Sequence, residues 1–473
     1  MKRRDFFQNA SLGLIGTGLV ANNLFVPNQP TQPVELDKWK GKAPANIIFL
    51  VSDGMSVGTL SMASILRQRM DGIQSHWLQL YEQNLVRRAL MDMASANSWV
   101  TDSAAASSSW GGGVRINNGA LNTNPDGTSN KPILQKFKEA GKSVGCVTTV
   151  PITHATPAGF CVTNAKRGDQ SEIATQYLPL KFDVMMGGGV KYFDASTRED
   201  KTDVFAAFTS AGYEVAKSRQ QMMDVDAKTT KPVLGVFYND GLPYAIDRTN
   251  DAALNSSVPS LAEMTKKAID IMSKNKKGFV LQVEAGKVDW AAHANDAAGL
   301  LYDQLEFDDA VKTAIDFAKT DKNTLVIITT DHGNSNPGLL YSGNTKGNFD
   351  NLMRYKHTNE WILSNLKKGD TTSKIIEVHE SATTIALKQE DATTLKEAID
   401  TTPEKGMPPL ILLGKLQGRY TDVHWMGTNH TSDYVELAMF GPGSELLKPF
   451  VKNIELHNYM LNVCGLTNMT VKK

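Results

Sequence analysis

Six short apolar runs recur along the chain: NIIFLV (46–51), KSVGCVTTV (142–150), FDVMM (182–186), GFVLQV (278–283), TLVIITT (324–330) and YVELAMF (434–440). They are continuous rather than alternating, as expected of strands buried on both faces of a parallel sheet. Between them lie stretches with helical character: PILQKFKEAG (132–141), VPSLAEMTKKAIDIMSKN (258–275) and YDQLEFDDAVKTAIDFAKT (302–320). In the last, Leu305, Val311, Ile315 and Phe317 are among the apolar positions of an amphipathic helix. The alternation predicts an α/β fold of three layers, with a central, mainly parallel sheet. Residues 336–425 break the rhythm with Gly, Asn and Asp clusters and helical pieces such as NEWILSNLKKG. They read as an insertion over one edge of the sheet, serving as a lid or an oligomer contact.

Ligands bind such sheets at the carboxyl ends of the strands. Polar residues fall there four times. Asp53 follows the first run, His154 and Thr156 the second, Glu284 the GFVLQV run, and Asp331 and His332 the TLVIITT run. One aspartate after a strand is usually a turn former or helix cap. Four strands ending in metal-competent side chains point to a site.

The stretch LQVEAGKVDWAAHAND (281–296) carries most of that signal. Asp289 and His293 stand at i, i+4, on one face of a helical turn, where both can hold one metal ion. Glu284 sits just before the turn and is free for a second, harder ion. Imidazole and carboxylate ligands side by side suggest zinc next to magnesium, and with them phosphate-ester chemistry. TDSAAASSSWGGG (101–113) is the second signal. Ser103 opens a run of small residues that should start a helix, whose free N–H groups and positive dipole end favour a phosphate. A serine there is a nucleophile once a metal lowers its pKa. Alone, Thr101-Asp102-Ser103 reads as a capping group.

Acidic and basic residues balance at 50 each. There is no global field for nucleic acid or an acidic membrane, so an anionic substrate must be held by local charge. Cys146, Cys161 and Cys464 are too few and odd in number for a disulfide framework. Cys146 and Cys161 read as buried free thiols. At the N-terminus, Arg3 and Arg4 precede Phe6, Phe7 and a weakly apolar stretch to Val26. This resembles a twin-arginine export signal over residues 1–26. Residues 27–44 read as a linker and 45–473 as the catalytic domain. The expectation is a chain exported folded by the twin-arginine machinery, acting in the periplasm or outside the cell.

Taken in order, NIIFLVSDGM, TDSAAAS, the ATPAGF stretch, QVEAGKVDWAAH, TTDHGNS and NHTSDYVELAMFGPGS resemble the alkaline phosphatases. The resemblance runs from about residue 45 to 445 and leaves 336–425 unplaced. It implies hydrolysis of small phosphate monoesters through a phosphoserine at Ser103, with two zinc ions and one magnesium ion. Asp289, His293 and His430 would hold one zinc; Asp53, Asp331 and His332 the other. Asp53, Thr156 and Glu284 would hold the magnesium. Arg167 would grip two phosphate oxygens with its planar fork. His430 is preferred over His424 because Thr431, a strand and a GPG turn follow it, as in the family. Many relatives are dimers, so the resemblance leaves a homodimer open. A phosphodiesterase of the same superfamily is the alternative, with Thr156 and Glu284 against it.

Two positions depart from some bacterial members, which carry Asp and Lys there: this chain has His154 and Trp290. His154 resembles the residue of vertebrate and some marine bacterial members. Both are expected beside the substrate, with packing an equal reading for Trp290. The departures imply a stronger dependence on added magnesium and easier release of product.

Overall fold

Strand β1 (Asn46–Ser52) is wholly buried, and its alternate residues face two different cores. Ile48 and Leu50 point into one; Ile47, Phe49 and Val51 point into the other. This is why the run is continuously apolar: helices cover both faces of the sheet. The computed structural model describes residues 41–403 and 406–466. The expected signal (1–26) and most of the expected linker (27–44) lie outside the described residues.

The main sheet has ten strands. After β1 come β2 (Arg87–Asp92), β3 (Ser143–Pro151), β4 (Val184–Gly188), β5 (Glu214–Ala216), β6 (Val233–Val236), β7 (Phe279–Ala285), β8 (Thr324–Thr329), β9 (Val435–Phe440) and β10 (Phe450–Lys452). Their spatial order is β10-β2-β9-β8-β1-β7-β3-β4-β6-β5. All neighbours run parallel except β9, which is antiparallel to both β8 and β2. The YVELAMF run is thus a buried strand of opposite direction, a distinction that an apolar run does not encode. Strand β2, RRALMD, escapes the apolar-run criterion because its burial alternates near the sheet edge.

Helix Val57–Asp71, helix Leu261–Met272 and the long helix Ala297–Asp321 cover one face. The Leu261–Met272 helix begins with a capping box, Ser260 and Glu263 each bonding the other's backbone N–H. Helices α1 (Ser103–Gly112) and α2 (Ala155–Cys161) lie on the other face. They approach closely because each offers a glycine. A Cβ at Gly111 would stand 1.9 Å from the Gly159 carbonyl oxygen, and one at Gly159 would stand 2.1 Å from Ser107 Oγ. Backbone thus meets backbone beneath the residues that open both helices.

Within 336–425, five α-helices lie among the described residues between Thr345 and Thr421, and a small core of its own includes Ile362, Ile375, Leu395 and Leu413. Residues 337–339 pair antiparallel with 423–425, so the segment leaves and returns at one point. Next to it, Thr431 and His430 pair with Gly333 and Asn334. That pairing brings His430 beside His332. Asp296, which caps the Ala297–Asp321 helix, also accepts the Asn359 N–H at 2.6 Å and ties the segment to the body.

Candidate active site

The parallel strands β1, β7 and β8 end in register, with Val51 opposite both Glu284 and Thr329. Thr148 of β3 is opposite Glu284 in turn. Asp53, Glu284, Asp331 and His332 therefore emerge at one level, and all four are fully buried. Helix α3 (Lys287–His293) follows β7 and turns Asp289 and His293 toward them. His293 Nε2 lies 3.4 Å from Asp289 Oδ2, as the i, i+4 spacing predicts.

His293 and His430 each donate Nδ1–H to a backbone carbonyl, Thr428 at 2.7 Å and Thr101 at 2.9 Å. A carbonyl only accepts, so Nδ1 carries a proton and, in the neutral ring, Nε2 offers a lone pair. The two Nε2 atoms face one another at 3.2 Å, with Asp289 Oδ1 3.6 Å from that of His430. Two lone pairs and a carboxylate in such contact repel unless a cation lies among them. His332 Nε2 stands 3.3 Å from Asp331 Oδ2 and 3.5 Å from Asp53 Oδ1. The His332 and His430 rings stack at 3.6 Å.

Ligand-type atoms gather in three overlapping groups, each within 4.8 Å: Asp289 with His332 and His430; Asp53 with Asp331 and His332; Asp53 with His154 and Glu284. Thr156 Oγ1 is 3.4 Å from Asp53 Oδ2. Buried Asp53 Oδ1, Glu284 Oε1, Asp331 Oδ2 and His154 Nδ1 have no hydrogen-bond partner. Burial and the neighbouring Asp331 and Asp289 carboxylates hold Asp53 well above the ordinary range. Burial raises Glu284 to about 7 and Asp331 to about 8. It also holds His332 well below its usual value, helped by His430 and His293. Orphaned oxygens on crowded, buried carboxylates are what a polycation site looks like before its charge is counted. The donor set suits it: imidazoles and carboxylates for zinc, oxygens for magnesium.

Ser103 is the first residue of α1, and its Oγ lies 3.3 Å from His332 Nε2. Asp102 caps the helix, one carboxylate oxygen accepting Ala105 N–H at 2.9 Å. Its other oxygen accepts Gly119 N–H and pairs with the Arg167 guanidinium at 3.1 Å. Arg167 also reaches His154 Nε2 at 3.1 Å. The Trp290 ring meets the His154 ring edge-on, 6.1 Å between centroids. Every expected residue is therefore in one neighbourhood. His424 is not: it is exposed, paired with Gly338 in the short ribbon.

Three supporting roles escaped the sequence, which offered Asp102 only as part of a cap. Asp102 is both cap and anchor for Arg167. Asn334 donates to Asp289 Oδ1 at 2.7 Å, and Thr148 bonds Glu284. Asp102 and Asn334 lie inside the motifs TDSAAAS and TTDHGNS, so adjacency to a ligand or nucleophile was the available signal. Thr148 lies inside an apolar run and carried none.

Residues 44–466 match the family description "Alkaline phosphatase". The chain is 29% identical to alkaline phosphatase 4 of Bacillus subtilis, over 98% of this chain and 99% of that one. It is 32% identical to alkaline phosphatase 3 of the same organism, over 87% of each. Among solved structures it resembles the alkaline phosphatase of Thermus thermophilus, with a TM-score of 0.82, 30% identity, and 90% and 92% of the two chains covered. The chain belongs to the alkaline phosphatase family, and it is a phosphomonoesterase.

Proposed function

We propose that hydrolysis proceeds through a phosphoserine at Ser103, beside two zinc ions and one magnesium ion. Asp289, His293 and His430 would hold one zinc, and Asp53, Asp331 and His332 the other. Asp53, Glu284 and Thr156 would hold the magnesium, with His154 beside them. Bound there, the ions supply Lewis acidity and positive charge for displacement at a phosphate dianion. The observation that carries this reading is the 3.2 Å approach of two imidazole lone pairs beside Asp289.

The chain's own residues do the rest. Ser103 Oγ attacks phosphorus in line, and the bond from phosphorus to the ester oxygen breaks, releasing the alcohol. Arg167 donates to two non-bridging oxygens, and the first amides of α1 face the third. Asp102 keeps the guanidinium in place. Water then attacks the phosphoserine from the opposite side, freeing Ser103 and inorganic phosphate.

The test compares p-nitrophenyl phosphate with bis-p-nitrophenyl phosphate at alkaline pH with zinc and magnesium, for wild type and Ser103→Ala. We expect monoester preference that the substitution abolishes. Activity surviving without Ser103, or diester preference, would overturn the assignment. Arg3 and Arg4 support export by the twin-arginine route and action outside the cytoplasm, tested by fractionating cells that express an Arg3→Lys, Arg4→Lys variant. Kinship supports a homodimer, tested by light scattering.

A further inference from the structure

Lys287 opens α3, two residues before Asp289, and is only 4% exposed. Its backbone N–H donates to Thr149 Oγ1 at 3.1 Å. Its ammonium lies over two aromatic rings, 3.6 Å from the centroid of Tyr244 and 4.6 Å from that of Trp290. Burial pulls its pKa down, and the carboxylates of Glu360, Asp303, Asp247 and Asp240, on other elements, oppose that and favour the charged form. A desolvated cation over an aromatic face is held by the ring quadrupole, and here one cation ties two rings together.

Trp290 is also gripped from the side of Tyr244. A Cβ on Gly241 would come within 2.9 Å of its indole, so that backbone packs directly on the ring. Asp303 accepts Ala245 N–H at 2.9 Å and fixes the turn that carries Tyr244. The opposite partner of Trp290 is His154, edge-on at 78°. His154 in turn touches Arg167 and groups with Asp53 and Glu284. A contact path thus runs from Tyr244 through Lys287 and Trp290 to His154, where it meets both the phosphate grip and the third ion group.

We propose that Lys287 is a positioning residue, a cationic clamp on Trp290 that orients the His154 ring and thereby sets magnesium affinity and the aim of Arg167. The clamp acts on the third ion group, so it rests on the proposed function above. It makes no contact with substrate. Its work is to remove ring freedom from Trp290, since a loosened indole lets His154 turn away from Asp53 and Glu284.

The test uses full-length zinc-loaded protein carrying Lys287→Met, Lys287→Arg or Tyr244→Leu. Magnesium binding is read by calorimetry, and KM and kcat with p-nitrophenyl phosphate. Trp290 mobility is read by fluorescence anisotropy, as the difference from the matching Trp290→Phe variant. Losing one desolvated cation–π clamp should weaken magnesium binding about tenfold in Lys287→Met. KM should rise more than kcat falls, and Trp290 should become more mobile. Lys287→Arg keeps the cation and should restore all three. Tyr244→Leu, which leaves Lys287 and its acids in place, should shift them the same way and covers a Lys287→Met chain that does not fold. Unchanged magnesium affinity and Trp290 mobility in both charge-loss and ring-loss variants would overturn the clamp, as would Lys287→Arg failing as badly as Lys287→Met. If wild type itself binds no magnesium, the third-ion reading fails instead, and the clamp is then judged by Trp290 mobility and KM.

Discussion

The Asp102 carboxylate holds the Arg167 guanidinium at 3.1 Å with one oxygen while its other oxygen caps the helix that begins at Ser103. One side chain thus indexes the phosphate grip to the nucleophile. Asp102→Ala should release both. Losing a charge-assisted bond predicts a rise of about tenfold in the inhibition constant of inorganic phosphate. Losing the cap predicts a stability loss of about 1 kcal/mol. Asp102→Asn keeps a capping oxygen and should recover the stability but not the phosphate affinity. An unchanged inhibition constant in both variants would show that Arg167 needs no anchor.

In the proposed magnesium site, grouped with Asp53 and Glu284, His154 stands where a carboxylate would give the ion a hard oxygen ligand. Activity should therefore climb steeply with added magnesium. His154→Asp should saturate at lower magnesium and release phosphate more slowly. Titration of both enzymes from a chelated state checks this; a flat wild-type curve sinks it.

Cys146 and Cys161 are fully buried with sulfurs 3.5 Å apart, and burial raises the Cys161 thiol. Burial also lifts Cys464 to about 11. Native protein should react sluggishly with a thiol reagent and release three equivalents in denaturant. A chain that folds before meeting an oxidant keeps the Cys146 and Cys161 thiols; one delivered unfolded would cross-link them. The thiol count of exported protein therefore tests the route, and one free thiol rather than three would contradict export in the folded state.

His379 and His457 are buried and pressed down to about 4 by that burial, with Lys136 adding to the effect at His457. The unfolded chain binds these protons near pH 6.5, before the folded chain does. Their contribution to stability is present above pH 6.5 and lost as pH falls toward 4. By pH 5 each should have cost about 2 kcal/mol. Comparing metal-free wild type with a His379→Gln, His457→Gln variant isolates the effect. The variant should lose less stability between pH 7.5 and 5, and parallel profiles would contradict the assignment.

Local pattern and tertiary pairing divide what was legible beforehand. Continuous apolar runs predict β1, β3, β7 and β8 because burial on both faces leaves no polar position. The candidate ligands that close those strands are visible for the same reason: Asp53, His154, Glu284 and Asp331 are each the first ionisable group after the run. Direction is not visible, so β9 looks like the parallel strands of the sheet. Strands of three or four residues, such as Glu214–Ala216 and Val233–Val236, are too short to show a period. Asp289 and His293 follow from helix geometry alone. His430 does not; only the ribbon pairing it with Asn334 places it, and sequence offered likeness to a family instead. Lys287 and Tyr244 were invisible, since a cation over a ring leaves no spacing rule.

The bond from His430 to the Thr101 carbonyl spans 329 residues. The His430 ring is thus aimed by a residue two positions from Ser103, and neither strand order nor any single hairpin can bring them together early. Closing so long a loop comes after local structure has formed. Zinc bound as proposed would then report on a late stage of folding rather than the first. An ion held there as proposed would bind the finished chain and stabilise it by mass action, drawing together two segments that the sequence keeps far apart.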